Sequence, residues 1–287
     1  MPEFFQHEFV QNAFLAGTMV ACVTAMIGYF AVLRAQAFAA HGLSHMSFAG
    51  ATGAVALGSS ALVGMLTLTL LAALGMGALD ERVRGRDVEI GMVLSLALGL
   101  GVLFLSLDTH YTSETVTILF GSILSVTRQD VLLTFGCGMA TLLLMALLFR
   151  PLLFASIDPE MAQARGVPVR LLSIMFLLLL AITVAEAVQV VGVLLVFALL
   201  IAPAASAAHL LRQPGGAIAL AMALGVLCTW GGLALAFASH FPVSFYIAML
   251  ASLTYFACAW LSKWLAPRRS TPLPHPRREY RAARMRR

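Results

Sequence analysis

Apolar residues along this chain come in long runs rather than at the spacing of a half-buried surface element. A helix needs about 20 mostly apolar residues to cross a hydrocarbon core, and runs of that kind fall at 12–33, 36–57, 60–79, 88–107, 130–150, 170–187, 190–210, 217–238 and 243–265. The pattern predicts an all-α polytopic membrane protein with about nine transmembrane helices. The second and seventh runs are polar enough to be broken or buried among the others. Polar interruptions mark the connections, the longest being "DERVRGRD" (80–87), "DTHYTSETVT" (108–117) and "SIDPEMAQARGVPVR" (156–170). Residues 1–266 form the membrane domain and 267–287 a tail.

Composition agrees: 61% of the 287 residues are hydrophobic and 11% charged, with a mean hydropathy of +0.93, far from soluble domains. Charge sets the expected orientation, because Lys and Arg beside helix ends stay in the cytoplasm. With nine crossings and the tail inside, all 18 basic residues except Arg128 share one side. The amino terminus is then outside, and no cleavable leader is expected because "MPEFFQHEFV" has no basic start. The basic tail reads as a solvated end near anionic membrane lipid, with no nucleic acid implied. Several activities are excluded. A P-loop ends in Gly-Lys-Ser/Thr, but the one lysine, Lys263, precedes Trp264. A zinc protease of the H-E-x-x-H type needs Glu after its first histidine, and Gly42 stands there. "FGSILS" (120–125) is the weak trace of an intramembrane serine protease. The four cysteines sit singly in apolar runs, as packing residues do.

Ionisable groups inside spans are costly and functional by default. Here they are His41, His45, Glu186 and His209, with Glu89, Asp130 and His240 at the edges. Residues four apart share a helix face, so His41 and His45 lie together, among the small residues Gly42, Ser44, Ser47, Ala49 and Gly50. Neutral imidazole binds zinc and other first-row cations; two buried histidines bonded to backbone carbonyls are the structural alternative. In "SIDPEMAQARGVPVR", Asp158 and Pro159 read as N-cap and first helical residue, Glu160 lies in the first turn, and Gly166 can close the helix. This predicts a short helix at about 157–167, either a plain connector or a docking element. Its small residues Ala162, Ala164 and Gly166 would let another protein approach the backbone. The stretch "ILFGSILSV" (118–126) is too short to span and predicts a short helix at the outer face, where Gly121 and Ser122 would pack around an entrance.

The short-helix stretch resembles the coupling-helix region of the permease subunits of ABC transporters for divalent metals, the zinc, manganese and iron uptake family. Four other stretches match that family in order: "AAHGLSHMSFAG", "DVEIGMVLSLALGLGVLFLS", "ILFGSILSV" and "VGVLLVFALLIAPAASAAHLL". The family's second helix usually reads close to Gly-Asp-Ala-Leu-Ser-His. Here it reads "AHGLSH", so His45 aligns with the family's histidine and His41 replaces a common aspartate. The resemblance implies a type II ABC importer-like permease bundle, working as a homodimer in the bacterial cytoplasmic membrane and holding no bound cofactor. ATP would bind a separate ATPase subunit docked at Asp158, Glu160, Ala162 and Gly166, and an extracytoplasmic solute-binding protein would deliver the metal. His41 and His45 would line the path, with Glu186 the next candidate ligand. Imidazole in place of carboxylate points to zinc over manganese. The alternative is a proton-coupled secondary metal transporter, with Glu186 and the histidines as relay groups.

Overall fold

The computed structural model describes residues 8–78, 86–107, 119, 121, 123–239 and 241–265. They form α1 (Glu8–Leu33), α2 (Ala37–Ala56), α3 (Ala61–Ala78), α4 (Arg86–Leu107), a 3-10 turn (Ile123–Ser125), α5 (Arg128–Ile157), α6 (Pro159–Ala164), α7 (Val169–Val191), α8 (Val193–Leu210), α9 (Pro214–Ala238) and α10 (Val243–Leu265). Each of the nine apolar runs is a helix. Among the described residues, seven of them, α1, α3, α5, α7, α8, α9 and α10, are long and apolar enough to cross a membrane. The polar expectation held for the second run, α2, but not for the seventh, α8. In α4 the described side chains carry an apolar stretch over Ile90–Ser106.

Long-range contacts define the two ends of the bundle. The Asn12 side chain donates to the Val126 carbonyl at 3.2 Å, which puts the starts of α1 and α5 together. Arg34 donates to the Ser156 and Ser173 hydroxyls, which gathers the end of α1, the end of α5, α6 and the start of α7 at the opposite end. The α7–α8 turn lies at the first end, against Gly121: a Cβ on Gly121 would fall 2.3 Å from the Val191 carbonyl carbon. Gly192 alone separates the two helices, at φ 83 and ψ 160, a conformation reserved for glycine. The run pattern put this break four residues too early, because "VVGVLLV" is apolar throughout and shows no polar loop.

α1 is the central column, packed on α5, α7, α8 and α9. Helices in a membrane gain little from burying apolar surface, so close backbone approach over small residues holds them. Gly28 is such a point: a Cβ there would lie 1.8 Å from the Leu200 carbonyl oxygen of α8. Gly50 of α2 and Gly64 of α3 form another, each added Cβ meeting the other's carbonyl oxygen at 2.2 and 2.1 Å. α4 seats on α2 through Phe48 over Gly101 and Phe104 over Gly53. α5 begins with a Thr127–Asp130 capping box and runs through Pro151 to Ile157, seven residues beyond the expected end. Proline costs one hydrogen bond and a clash, but packed neighbours in a bundle absorb that loss; Leu152 and Ala155 are buried just past it.

Candidate functional site

The two histidines project from one face of α2, whose other face is filled by α3 and α4: a Cβ on Gly42 would touch Ile90 and Met76 at 3.3 and 3.4 Å. The His41 and His45 rings meet edge to face with centroids 4.8 Å apart. His41 also meets Phe197 of α8 at 4.9 Å. Both side chains are half-buried, and both Nδ1 atoms are buried without a hydrogen-bond partner. The carbonyl-bonded arrangement, the structural alternative, is therefore not what these Nδ1 atoms adopt. Ser44, between them, spends its hydroxyl on the Ala40 carbonyl at 3.0 Å. One chain thus offers two adjacent imidazoles with unpartnered nitrogen.

Glu186 lies elsewhere, on α7 facing α5, with Cys137 within electrostatic reach. Both of its carboxylate oxygens are buried without a partner, as is the hydroxyl of Thr183 one turn earlier. Nearer the Gly121 end, Gln189 donates to Asp130 at 3.4 Å. Among the described residues no group of three or more His, Cys, Asp or Glu side chains could hold a metal. The structure therefore brings His41 to His45 but does not add Glu186 to them. His209 sits at the end of α8 beside Tyr255, with ring centroids 5.8 Å apart. His240, Ser122 and the Glu89 side chain lie outside what the structure describes.

The short helix α6 forms as its residues require. The Asp158 carboxylate accepts from the Met161 N–H at 2.9 Å, with Pro159 at the first position. At the other end Val167 N–H bonds to the Ala162 carbonyl and Gly166 N–H to the Gln163 carbonyl, both at 3.0 Å. That closure needs the φ of +80 that Gly166 supplies. Glu160, Ala164 and Gly166 are exposed, and an added Cβ at Gly166 meets nothing within 4 Å. Ala162 is 0% exposed, which corrects its expected role: it seats α6 on its own bundle and presents nothing to a partner. The pattern missed Ile157 and Met161, 66% and 49% exposed, which flank Glu160 as apolar knobs. Their alternation with Asp158 and Glu160 was the available signal. At the far end Leu119 is helical and Ile123–Ser125 is a 3-10 turn, with Gly121 at φ 78 seated on the α7–α8 turn; residues 118, 120 and 122 of the expected short helix lie outside the described residues.

Comparison with known proteins covers nearly the whole bundle. The profile of the ABC 3 transport family matches residues 6–262. The manganese transport system membrane protein MntC of Halalkalibacterium halodurans is 32% identical over 256 residues, covering 89% of this chain and 86% of its own. The manganese import system permease protein ScaB of Streptococcus parasanguinis is 32% identical over 264 residues, 92% of each chain. In the solved structure of PsaBC from Streptococcus pneumoniae in complex with Fab, one chain superposes with a TM-score of 0.80 at 29% identity, over 88% of this chain and 91% of that one.

Proposed function

The chain belongs to the ABC 3 transport family, and on that premise we propose that it is the permease subunit of an ATP-driven importer of a divalent transition metal, with manganese as its cargo. Membership across residues 6–262 is the observation that carries this reading, and it makes the chain a membrane permease with ATP hydrolysis on a separate subunit. The cargo replaces the zinc expected from His41. What favours manganese is that relatives matching most of this chain are manganese transport proteins.

In this proposal α2 and α4 also cross, giving nine crossings. α2 is polar because it faces the path, and α4 covers it. The α6 end is cytoplasmic and receives the ATPase on Glu160, Ile157, Met161 and the backbone at Gly166, with Asp158 holding the helix in shape. The Gly121 end, with the adjoining Ser122, faces outward and receives metal from a solute-binding protein. Two copies related by a two-fold axis present His41 and His45 from both sides of one path. These neutral imidazoles hold the ion in transit a few at a time, because a closed four-ligand set would retain it. Glu186 is proposed as a ligand outside this resting pair, its bare carboxylate available when α5 and α7 shift. ATP-driven motion of α6 then alternates access to the histidines. Co-reconstitution of the permease with its ATPase in liposomes tests the reading. Manganese uptake should require ATP; uptake driven by a proton gradient alone would overturn it in favour of secondary transport.

A further inference from the structure

We propose that Arg34 is the positioning residue that transmits movement of α6 to the helix carrying His41 and His45. This rests on the reading of α6 as the ATPase-facing helix. Arg34 ends α1, yet its guanidinium donates to the hydroxyls of Ser156 on α5 and Ser173 on α7. Those serines bracket α6: one lies two residues before its cap Asp158, the other four residues after α7 begins at Val169. The Ser156 hydroxyl spends its proton on the Leu152 carbonyl at 2.6 Å, which leaves a lone pair for the guanidinium. The cation also lies over the Phe176 ring, 5.7 Å from its centroid, and Phe176 is 0% exposed on α7. A planar, delocalised charge can serve a ring face and two hydroxyls together.

The other side of Arg34 has no slack. Residues 34–36 alone join α1 to α2. The joint is closed by Gln36 N–H to the Ala31 carbonyl at 2.7 Å and Ala35 N–H to the Val32 carbonyl at 3.1 Å. This closure places Ala35 at φ 54, a left-handed position where glycine is usual. Gln36, 3% exposed, then starts α2 directly, its carbonyl accepting from Ala40 N–H at 3.1 Å, and His41 is the next residue along. A displacement of the segments flanking α6 therefore has a route to α2 through one side chain and a three-residue joint, beside the direct packing of α7 on α2.

The test compares coupling ratios in the co-reconstituted permease and ATPase, with manganese(II) as the probe. Arg34→Ala should keep ATP hydrolysis near the parent rate while manganese moved per ATP falls about tenfold, an ordinary coupling free energy. Arg34→Lys should recover part of the ratio. Ser156→Ala with Ser173→Ala should reproduce the loss, and adding Arg34→Ala to that pair should cost little more, since one network is being removed. Transport and hydrolysis falling in equal proportion, or an unchanged ratio, overturns the proposal. If Arg34→Ala fails to accumulate, the serine pair decides by the same ratio. A parent complex with no ATP-driven uptake would instead overturn the importer reading itself.

Discussion

At the scale of single residues, the proposed path makes its selectivity turn on His41. Divalent affinities at a nitrogen site rise from manganese towards copper, and zinc lies well above manganese. A pair of imidazoles whose rings stand 4.8 Å apart therefore favours zinc even where manganese is carried, so zinc should inhibit manganese uptake competitively. His41→Asp supplies a hard oxygen and a charge. It should retain manganese uptake and raise the zinc concentration needed for half-inhibition by about tenfold, ~1.4 kcal/mol of relative affinity. Radioactive manganese uptake under zinc titration measures both. His45→Ala should cost more uptake than His41→Ala, because His45 aligns with the family's histidine, whereas His41 replaces a common aspartate and also rests on Phe197. Parent-rate uptake in both alanine variants would reduce the pair to packing residues and move attention to Glu186.

At the scale of elements, backbone contact decides which glycines matter. Gly28 has the Leu200 carbonyl at 1.8 Å from any Cβ, while Gly75 on α3 has nothing within 4 Å. Gly28→Ala must push α1 from α8 and should cost 1–3 kcal/mol or more; Gly75→Ala gains helix propensity and should leave the melting temperature unchanged or higher. Equal shifts in a thermal melt of the purified protein would show that α1 and α8 do not meet as described. For α6, Ala164→Trp places an indole on an exposed helical position without disturbing the φ of +80 at Gly166, and should abolish ATP-coupled uptake at normal membrane abundance. Undiminished uptake removes α6 from the docking role. Much of this layer was legible from residue order, because run length marks a membrane helix and Asp158-Pro159 with Gly166 marks a capped one. The illegible parts were tertiary. Pro151 reads as a stop, and only packing lets α5 continue past it; Gly192 is hidden in an apolar run; Ala162 looks like a docking residue until the bundle covers it. Phe197 could not be paired with His41 from sequence, since 156 positions separate them and only the fold sets α2 against α8.

At the scale of the molecule, the crossing of α2 decides the topology. Among the described residues seven helices are long and apolar enough to cross a membrane, and α4 adds the apolar stretch Ile90–Ser106. α2 and α4 differ in where their side chains go. α2 has the length but spends its surface on His41, His45, Ser44, Ser47 and Thr52, with thirteen of its residues buried; polar groups facing protein or water need no lipid-compatible surface. α4 has its apolar surface on the outside, with Val88, Met92, Leu96, Val102 and Leu103 all more than half exposed, as a helix between α2 and lipid would. Both features fit the proposed arrangement, in which α2 and α4 cross and the path runs along α2. One chain offers the His41–His45 pair there, and in the proposed reading a second copy supplies the facing pair. The crossing of α2 can be read directly. Ser59 is exposed in the α2–α3 connection, Gln129 is exposed at the start of α5, and Gln163 is exposed on α6. In a background with the four native cysteines replaced, Ser59→Cys should react with a membrane-impermeant thiol reagent from the same side as Gln129→Cys. Gln163→Cys should react only from the other side. If α2 merely dipped into the bundle and returned, Ser59→Cys would label with Gln163→Cys instead, and the path would have to end inside the membrane on the side where it began.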